Sequence, residues 1–288
     1  MITRRNFLIN SSILATGTML GVKAMALNGF NKNTIGLQLY SLRDEIPVSL
    51  EAVFKKIAAA GYNSVEMYGF NSKENFFKKS QKEIEALLKN NNLITPSGHY
   101  QLELFENNAS QTIEAALCLG HKYIVIPWLP ESVRKTKDDY KIIAEKVNKA
   151  ALLCKQQNIK LAYHNHDFEF NKFEDGSCGF EVLINDTDKT LVNFELDLFW
   201  VVSAGLNPID LFKQHPGRFK MWHVKDMDKT HPKLNTEIGT GSIDFKPIFA
   251  NAKLSGLEYF YVEQENFSMP SSESIAKSIA FVKKNLLK

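Results

Sequence analysis

The alternation of β-rich runs with amphipathic helical runs most constrains how this chain can fold. It continues from Thr34 to the C-terminus. Short apolar runs read as strands, and the longer runs between them have helical periodicity. The predicted strands are Thr34–Tyr40, Ser64–Met67, Leu93–His99, Tyr123–Pro127, Lys160–His164, Leu191–Asp197, Phe219–His223 and Tyr259–Glu263. Repeated strand–helix units with right-handed crossovers form either a closed barrel or an open doubly wound sheet.

Eight strands and eight helices favour the closed barrel. The predicted helices are Ser49–Ala60, Gln81–Asn90, Gln111–Leu119, Asp139–Gln157, Phe180–Asn185, Pro208–Gln214, Phe245–Ser255 and Ser272–Leu287. Gly61 stands where a glycine commonly ends a helix. No G-x-G-x-x-G or P-loop motif follows a strand, which weakens the nucleotide-binding alternative. The sequence therefore predicts an α/β protein, a single (β/α)8 TIM barrel over residues 27–288, with its site at the C-terminal ends of the strands.

The first 26 residues differ from the rest of the chain. The pair Arg4-Arg5, before a polar residue and two apolar ones, resembles a twin-arginine export signal. The stretch Ile9–Val22 is moderately apolar but too polar for a membrane span, and Ala24-Met25-Ala26 resembles a cleavage site. We predict that residues 1–26 are a twin-arginine signal peptide. The mature protein would then begin at Leu27, lie in the periplasm and have no stable membrane anchor.

The net charge of the predicted mature chain bears on whether it binds nucleic acid. Three of the 35 basic residues and none of the 32 acidic ones lie in the predicted signal, which leaves a mature chain with 32 of each. A neutral chain does not favour binding to nucleic acid, and this argues against an endonuclease. The three cysteines, Cys118, Cys154 and Cys178, fit neither a CxxC pair nor a disulfide framework, so we expect them to be buried.

Metal-capable side chains lie at the ends of four consecutive predicted strands. His164, Asp197, His223 and Glu263 are separated by 33, 26 and 40 residues, which is about one strand–helix unit each time. Because the C-terminal ends of barrel strands converge on one face, we expect these side chains to meet. Imidazole and carboxylate ligands suit a borderline divalent cation that keeps a position open for water or substrate.

Several short motifs resemble those of one enzyme family. They are Gly36-Leu37-Gln38-Leu39-Tyr40-Ser41, His164-Asn165-His166, Glu195-Leu196-Asp197, Pro216-Gly217-Arg218-Phe219, His223-Val224-Lys225-Asp226 and Gly239-Thr240-Gly241. Over essentially the whole mature chain, the sequence is similar to the xylose-isomerase-like sugar phosphate isomerase/epimerase family of metal-dependent TIM barrels. The resemblance implies one divalent metal, Mn, Zn, Co or Mg, held by His164, Asp197, His223 and Glu263.

The sequence departs from the family pattern at strand five. Epimerases of the family usually have a glutamate where His164 stands, and that glutamate also exchanges substrate protons. The His-Asn-His form is more similar to the dehydratase and keto-sugar lyase branches, which include inosose dehydratase. Glu169 is an alternative strand-five ligand that we expect to face substrate instead.

Candidate catalytic residues follow from the chemistry of these enzymes. A metal-bound carbonyl makes the neighbouring C–H acidic, and a base must remove that proton. We expect His166 to be this base, with a role in orienting the metal ligands as the alternative. Lys225 would stabilise the developing anion, unless it forms an ion pair with Asp226 or Glu263, and Glu263 would join it as a catalytic residue as well as a metal ligand.

Candidate substrate contacts lie around the same strand ends. The expected contacts are Gln38, Glu66, His99, Trp128, Glu169 and Trp200. The tryptophans would pack against the apolar CH faces of a sugar. Trp222 precedes a metal-capable histidine, so it should point away from the barrel axis and into the core. Gly239-Thr240-Gly241 could offer backbone N–H groups to an anion or could be an ordinary flexible loop.

The residues thus favour a divalent-metal-dependent sugar isomerase or epimerase that abstracts a proton next to a carbonyl. The alternatives are a dehydratase or 1,2-lyase acting on inososes or 3-keto-glycosides, and a non-catalytic periplasmic sugar-binding protein. The expected partner is a small carbohydrate, without nucleic acid, and a homo-oligomer stays open.

Overall fold

The computed structural model describes residues 30–288 and confirms the predicted barrel. Its eight parallel barrel strands are β1 (Gly36–Gln38), β2 (Ser64–Met67), β3 (Ile94–His99), β4 (Tyr123–Ile126), β5 (Lys160–His164), β6 (Val192–Asp197), β7 (Phe219–Val224) and β10 (Tyr259–Val262). They pair in chain order, and β10 closes the barrel against β1. The short strands β8 (Asp226–Met227) and β9 (Asn235–Thr236) form a separate antiparallel pair.

Helices connect the barrel strands. They are α1 (Leu50–Ala60), α2 (Gln81–Asn90), α3 (Leu104–Asn107), α4 (Ala109–Cys118), α5 (Lys137–Gln156), α6 (Gly179–Asp186), α7 (Leu198–Ser203), α8 (Pro208–Gln214), α9 (Phe245–Ala250), α10 (Ala252–Ser255) and α11 (Ser271–Asn285). The Ser49 hydroxyl caps the start of α1 by accepting the Ala52 amide, and Gly61 ends it with a φ of 102°. Gly61 therefore has the helix-ending conformation that the sequence predicted.

The sequence misplaced some element ends. Strand β1 is only Gly36–Gln38, because Leu39–Leu42 forms a 3-10 helix. The Gln38 side chain caps this helix by accepting a hydrogen bond from the Tyr40 amide. The predicted helix over 245–255 is two short helices that meet at Asn251. Helix α7 was not predicted. Asp197, the last residue of β6, caps its start, but the six residues Leu198–Ser203 are too few for a helical period to show.

Two apolar layers surround the strands. Inside the barrel, Tyr123, Val125, Ala162, Met221 and Tyr261 form a separate buried cluster. A much larger layer fills the space between strands and helices. Trp222 belongs to that outer layer and is fully buried, with its ring stacked on Phe212 at 5.1 Å, as predicted.

One cysteine prediction was wrong. Cys154 and Cys178 are buried, but Cys118 is exposed, because it is the last residue of α4 and lies on the solvent side of that helix. The predicted signal peptide lies outside the described residues. Within residues 30–288, no helix is long and apolar enough to cross a membrane.

Candidate active site

The strand register brings polar side chains together at the C-terminal end of the barrel. Gln38 on β1 pairs with Glu66 on β2, and His164 on β5 pairs with Glu195 on β6. Asp197 pairs with His223 on β7. Residues two apart on a strand face the same side, so Glu195 and Asp197 both project into the barrel.

One carboxylate oxygen lies at the centre of three histidines. Oε2 of Glu195 is 3.0 Å from Nε2 of His99, 3.3 Å from Nδ1 of His164 and 3.2 Å from Nε2 of His223. His164, Glu195 and His223 are buried, and His99 retains slight exposure. We call these four residues the histidine-rich group. Their ligand atoms all lie within 4.8 Å of one another, so the group could hold a metal ion.

Glu66 lies beside the histidine-rich group at the floor of the site. Its Oε2 accepts a hydrogen bond from Gln38 Nε2 at 2.7 Å and lies 2.6 Å from His223 Nε2 and 3.2 Å from His99 Nε2. Burial disfavours ionisation of Glu66, yet the charges and hydrogen bonds of His99 and His223 hold its pKa well below the usual range. Burial opposes protonation of His99, but Glu66 and Glu195 raise its pKa to about 9. The floor of the site is therefore a network of strongly coupled charges.

A second group shares His223 and lies nearer the mouth. Asp197, His223 and Glu263 have ligand atoms within 4.8 Å of one another, and we call them the carboxylate group. Nδ1 of His223 is 2.8 Å from Oε2 of Glu263. Lys225 Nζ lies 3.1 Å from Glu263, 3.3 Å from Asp197 and 2.7 Å from Oε1 of Glu265. Burial lowers the pKa of Lys225, but these three carboxylates outweigh it and raise that pKa, so the ammonium persists.

Asp197 is held in place by the helix that follows it. Its Oδ1 accepts the backbone amides of Phe199 and Trp200 at 2.9 and 3.2 Å, which caps the start of α7. Burial raises the pKa of Asp197 to about 6, and Lys225 partly offsets that effect. Oδ2 of Asp197 makes no hydrogen bond and faces Lys225.

The residues present fit a divalent metal. His164 Nδ1, Glu195 Oε1 and Asp197 Oδ2 are buried ligand-type atoms without a hydrogen-bond partner. Buried polar atoms are rarely left unpaired, and a metal would satisfy those of the group that binds it. Nitrogen and carboxylate oxygen atoms together suit a borderline cation. The four predicted ligands are divided, however, because His164 belongs to the histidine-rich group while Asp197 and Glu263 belong to the carboxylate group.

His166 lies at the wall of the mouth among aromatic rings. Its ring centroid is 5.0 Å from that of His164, 6.0 Å from that of Trp200 and 5.5 Å from that of Phe168, on which it stacks. Burial lowers the pKa of His166 to about 3, with a further contribution from Lys225, so the imidazole is neutral. Its Nδ1 is buried without a hydrogen-bond partner. His166 can therefore accept a proton or a hydrogen bond from a molecule in the mouth.

Glu169 and Trp128, two of the expected substrate contacts, differ in exposure. Glu169 is fully buried behind β5, where its carboxylate accepts the Tyr163 hydroxyl at 2.6 Å and the His166 amide at 2.8 Å. It therefore braces the loop that carries His166. Trp128, which follows β4, is 42% exposed. Trp200, by contrast, lies 5.5 Å from Lys225 Nζ.

The glycine pair of the 239–241 loop binds an anion of its own chain. The amides of Gly239 and Gly241 donate to Oδ2 of Asp226 at 2.8 and 3.0 Å. The amides of Met227 and Ile243 donate to Oδ1. These N–H groups are thus satisfied by Asp226, so neither alternative for this loop, a site for an external anion or an ordinary flexible loop, matches the structure.

Sequence reasoning missed two carboxylates of the site. Glu195 and Glu265 each lie two positions from a predicted ligand, Asp197 and Glu263 respectively. That spacing places Glu195 on the same face of β6 as Asp197 and was the signal that could have found it. Glu265 follows the end of β10, where strand alternation no longer applies, and only its 2.7 Å contact with Lys225 identifies it.

The fold and the site define a class of protein, and comparison with known proteins agrees. The model of the family described as "Xylose isomerase-like TIM barrel" matches residues 54–285. The chain belongs to this family.

Three proteins of known name share a quarter or less of their aligned residues with this chain. The chain is 24% identical over 262 residues to an inosose dehydratase from Clostridium perfringens, an alignment that covers 85% of this chain and 81% of that protein. A sugar phosphate isomerase/epimerase from Parabacteroides distasonis superposes with a TM-score of 0.78 and 25% identity, covering 90% of this chain and 96% of that one. The IolI protein, solved with a bound zinc atom, superposes with a TM-score of 0.69 at 16% identity, over 87% and 97% of the two chains.

Proposed function

We propose that this protein is a divalent-metal-dependent enzyme that removes a proton next to the carbonyl of a sugar or keto-sugar. The observation that carries the proposal is the convergence of buried histidines and carboxylates with a fixed ammonium, Lys225, at the mouth of the barrel. Burying so many ionisable groups is costly to stability. A protein that only bound sugars would gain nothing from that cost, so the cluster favours catalysis.

The metal would be held among His164, Glu195, His223 and the neighbouring carboxylates. When bound, it would polarise the substrate carbonyl and so acidify the adjacent C–H bond. Lys225 is kept protonated by Asp197, Glu263 and Glu265, which positions its ammonium to stabilise negative charge that develops on a substrate oxygen. Because the ammonium is fixed before substrate arrives, little reorganisation is needed.

His166 would take the proton. Its neutral ring has a buried, unpartnered Nδ1, and Phe168 and Trp200 hold the ring on two sides. The hydrogen bond from its own amide to Glu169 fixes the backbone beneath it. Trp200 also offers an apolar surface for the CH face of a sugar ring. His166 thus combines a free acceptor atom with a fixed orientation. General base catalysis is most efficient with a pKa near the working pH, so the pKa of about 3 would have to rise as negative charge develops on the bound substrate.

Loss of a hydroxyl after proton abstraction is the second candidate outcome. The relative from Clostridium perfringens is an inosose dehydratase, and strand five of this chain ends in His164 rather than in the glutamate that epimerases of the family use. Epimerisation needs a second base on the opposite face of the substrate, whereas dehydration needs a proton donor for the leaving hydroxyl.

The proposal is tested by proton NMR of the zinc-loaded protein in D2O with inososes, ketoses and 3-keto-glycosides. We expect deuterium at the carbon next to the carbonyl of at least one class, and a new alkene-type product if a hydroxyl is lost. A panel in which no carbon exchanges above the rate without protein would contradict the proposal.

We also propose that the protein is exported by the twin-arginine route to the periplasm. The Arg4-Arg5 pair and Ala24-Met25-Ala26 support this. Replacing both arginines with lysine should leave precursor in the cytoplasm, whereas wild-type mature protein should begin at Leu27. Normal export of the Lys-Lys variant would contradict this route.

A further inference from the structure

We propose that the β1–β2 side of the mouth is a subsite for an aromatic aglycone, that is, for an aryl group attached to the substrate sugar. The subsite consists of three rings, those of Tyr40, Tyr68 and Phe77, which we call the aromatic shelf. The inference rests on the proposed function in assuming that a sugar binds at the mouth. It then names the substrate class as aryl glycosides rather than free monosaccharides.

The tyrosines of the shelf continue the strands that carry the floor of the site. Gln38 and Glu66, hydrogen-bonded to each other at 2.7 Å, lie on β1 and β2. Tyr40 and Tyr68 lie two positions further along the chain, just past the ends of these strands. The C-terminal ends of barrel strands form the mouth, so both rings lie at its edge. Tyr40 is 39% exposed, and Tyr68 is half-buried.

A chain of contacts joins the shelf to the ammonium of the site. The Arg43 guanidinium carbon lies 4.7 Å from the Tyr40 ring centroid. Nη1 and Nη2 of Arg43 donate to the carbonyls of Tyr40 and Glu265, each at 3.1 Å. Oε1 of Glu265 in turn lies 2.7 Å from Lys225 Nζ. One residue, Glu265, thus separates Lys225 from the arginine that holds Tyr40, so the shelf and the ammonium border the same mouth.

The three rings form a continuous apolar surface. Tyr40 and Tyr68 pack edge to face with centroids 5.2 Å apart, and Tyr68 and Phe77 do so at 5.3 Å. An aryl group packs on such rings in the same edge-to-face or offset manner. A second sugar ring would instead bring several hydroxyls that need partners on leaving water, and the shelf offers only the hydroxyls of Tyr40 and Tyr68. The chemistry of the shelf therefore favours an aryl group.

The loop after β2 holds Phe77 against the shelf in a strained backbone conformation. Phe77 has a φ of 52° and Lys78 a φ of 56°, in the left-handed region that bulky residues rarely adopt. Burial does not account for the strain. The neighbouring Phe76 is buried and packs on Tyr100, whereas Phe77 keeps exposed surface. Because such strain clusters at ligand clamps, it indicates that the position of the Phe77 ring serves binding.

Hydrogen bonds fix this loop before a ligand arrives. The Gln81 side-chain amide donates to Oδ1 of Asn75 at 2.8 Å, and the Gln111 side-chain amide donates to the Ser72 carbonyl at 2.6 Å. The Asn75 backbone amide also donates to the Asn71 carbonyl at 2.7 Å. The shelf is therefore preformed, so an aryl group would bind with little cost for ordering the loop.

The test measures binding to the zinc-loaded mature protein by isothermal titration calorimetry. The ligands are pairs of methyl and phenyl glycosides of glucose and galactose, in both anomers, together with cellobiose and lactose. These glycosides lack the carbonyl that proton abstraction needs, so they report binding alone. We expect at least one phenyl glycoside to bind at least about tenfold more tightly than its methyl counterpart. The disaccharides should bind no more tightly than the methyl glycosides.

Phe77→Gly and Lys78→Gly are a matched pair of variants. Both relieve left-handed strain, because glycine adopts positive φ readily, but only Phe77→Gly removes a ring of the shelf. Phe77→Gly and Tyr68→Leu should each lower the phenyl-to-methyl affinity ratio to below about threefold, whereas Lys78→Gly should keep the wild-type ratio. Affinity for methyl glycosides and zinc content should be unchanged in all three. Urea unfolding verifies that each variant is folded.

The absence of a phenyl preference in every pair would overturn the proposal. So would a preference that survives in folded Phe77→Gly and Tyr68→Leu, or a disaccharide that binds as tightly as the preferred phenyl glycoside. None of these results bears on proton abstraction, which the exchange of keto-sugar protons tests separately. A phenyl preference that depends on Phe77, in a protein that exchanges no C–H proton, would support the shelf and contradict the proposed function.

Discussion

Oδ2 of Asp226 accepts the backbone amide of Gly241 at 3.0 Å, and a side chain at residue 241 would collide with that carboxylate. The Asp226 carboxylate gathers four backbone amides in all and so ties the loop before α9 to the end of β7. Since Lys225 directly precedes Asp226, this contact also fixes the backbone from which the Lys225 ammonium reaches the site.

Gly241→Ala should therefore destabilise the protein. The added Cβ would overlap the Asp226 carboxylate and the Met227 carbonyl, and such overpacking typically costs about 1–3 kcal/mol. Urea unfolding measures the change in free energy of unfolding. Ser242→Ala is the control, because it removes only a 3.3 Å hydrogen bond to the same carbonyl. Equal unfolding midpoints for the two variants would show that the close contact does not matter.

Lys225→Met should separate catalysis from metal binding. Because Lys225 would stabilise developing negative charge, its loss should lower kcat by about 10²–10³-fold. Lys220→Met, on the same strand but near the opposite end, is the matched control. The Zn²⁺ content of Lys225→Met should equal that of wild type. A kcat of Lys225→Met within threefold of that of Lys220→Met would contradict the role of the ammonium.

The raised pKa of Glu169 predicts that the free energy of unfolding depends on pH. Burial raises its pKa from 4.5 to about 7, against the hydrogen bonds from Tyr163 and His166. Between pH 4.5 and about 7, Glu169 is thus protonated in the folded state but ionised in the unfolded state. The associated stability is present below about pH 4.5 and is lost as pH rises through 7. Relative to Glu169→Gln, wild type should lose up to about 3 kcal/mol of unfolding free energy over this range. Parallel urea-unfolding profiles from pH 5 to 7.5 would rule out the shift.

His164 and His166 should differ although they are neighbours. His164→Gln should lose metal and therefore activity, since His164 Nδ1 belongs to the histidine-rich group. His166→Gln should keep the metal, because His166 belongs to neither metal-capable group found in the described part of the chain. The metal content of the two purified variants tests this prediction. Loss of metal by His166→Gln but not by His164→Gln would contradict it.

The barrel could be predicted from the sequence because its signals are local and periodic. Each strand is a short apolar run, and helix ends such as Gly61 carry their own conformational mark. The rim could also be predicted, since His164, Asp197 and His223 all stand at strand ends. The short helix α7 escaped prediction because its six residues are too few for a helical period to show.

The grouping of side chains within the site could not be predicted. Spacing along the chain gives the strand on which a residue lies, but not the depth at which its tip ends. Glu195 and Asp197 share one face, yet one reaches the histidines and the other is held by Lys225 and the start of α7. That difference arises from contacts among the barrel strands β3, β5, β6, β7 and β10, which come together only when the barrel closes.

Deuterium exchange tests the central claim most directly. Zinc-loaded wild type, His166→Gln and a control variant, His231→Gln, would be compared by proton NMR in D2O with a substrate from the keto-sugar or inosose panel. His231 is an exposed loop residue. The account predicts exchange next to the carbonyl for wild type and the control, and exchange about 10²–10⁴-fold slower for His166→Gln with its zinc retained. Equal exchange rates in all three proteins, or no exchange in any, would contradict it.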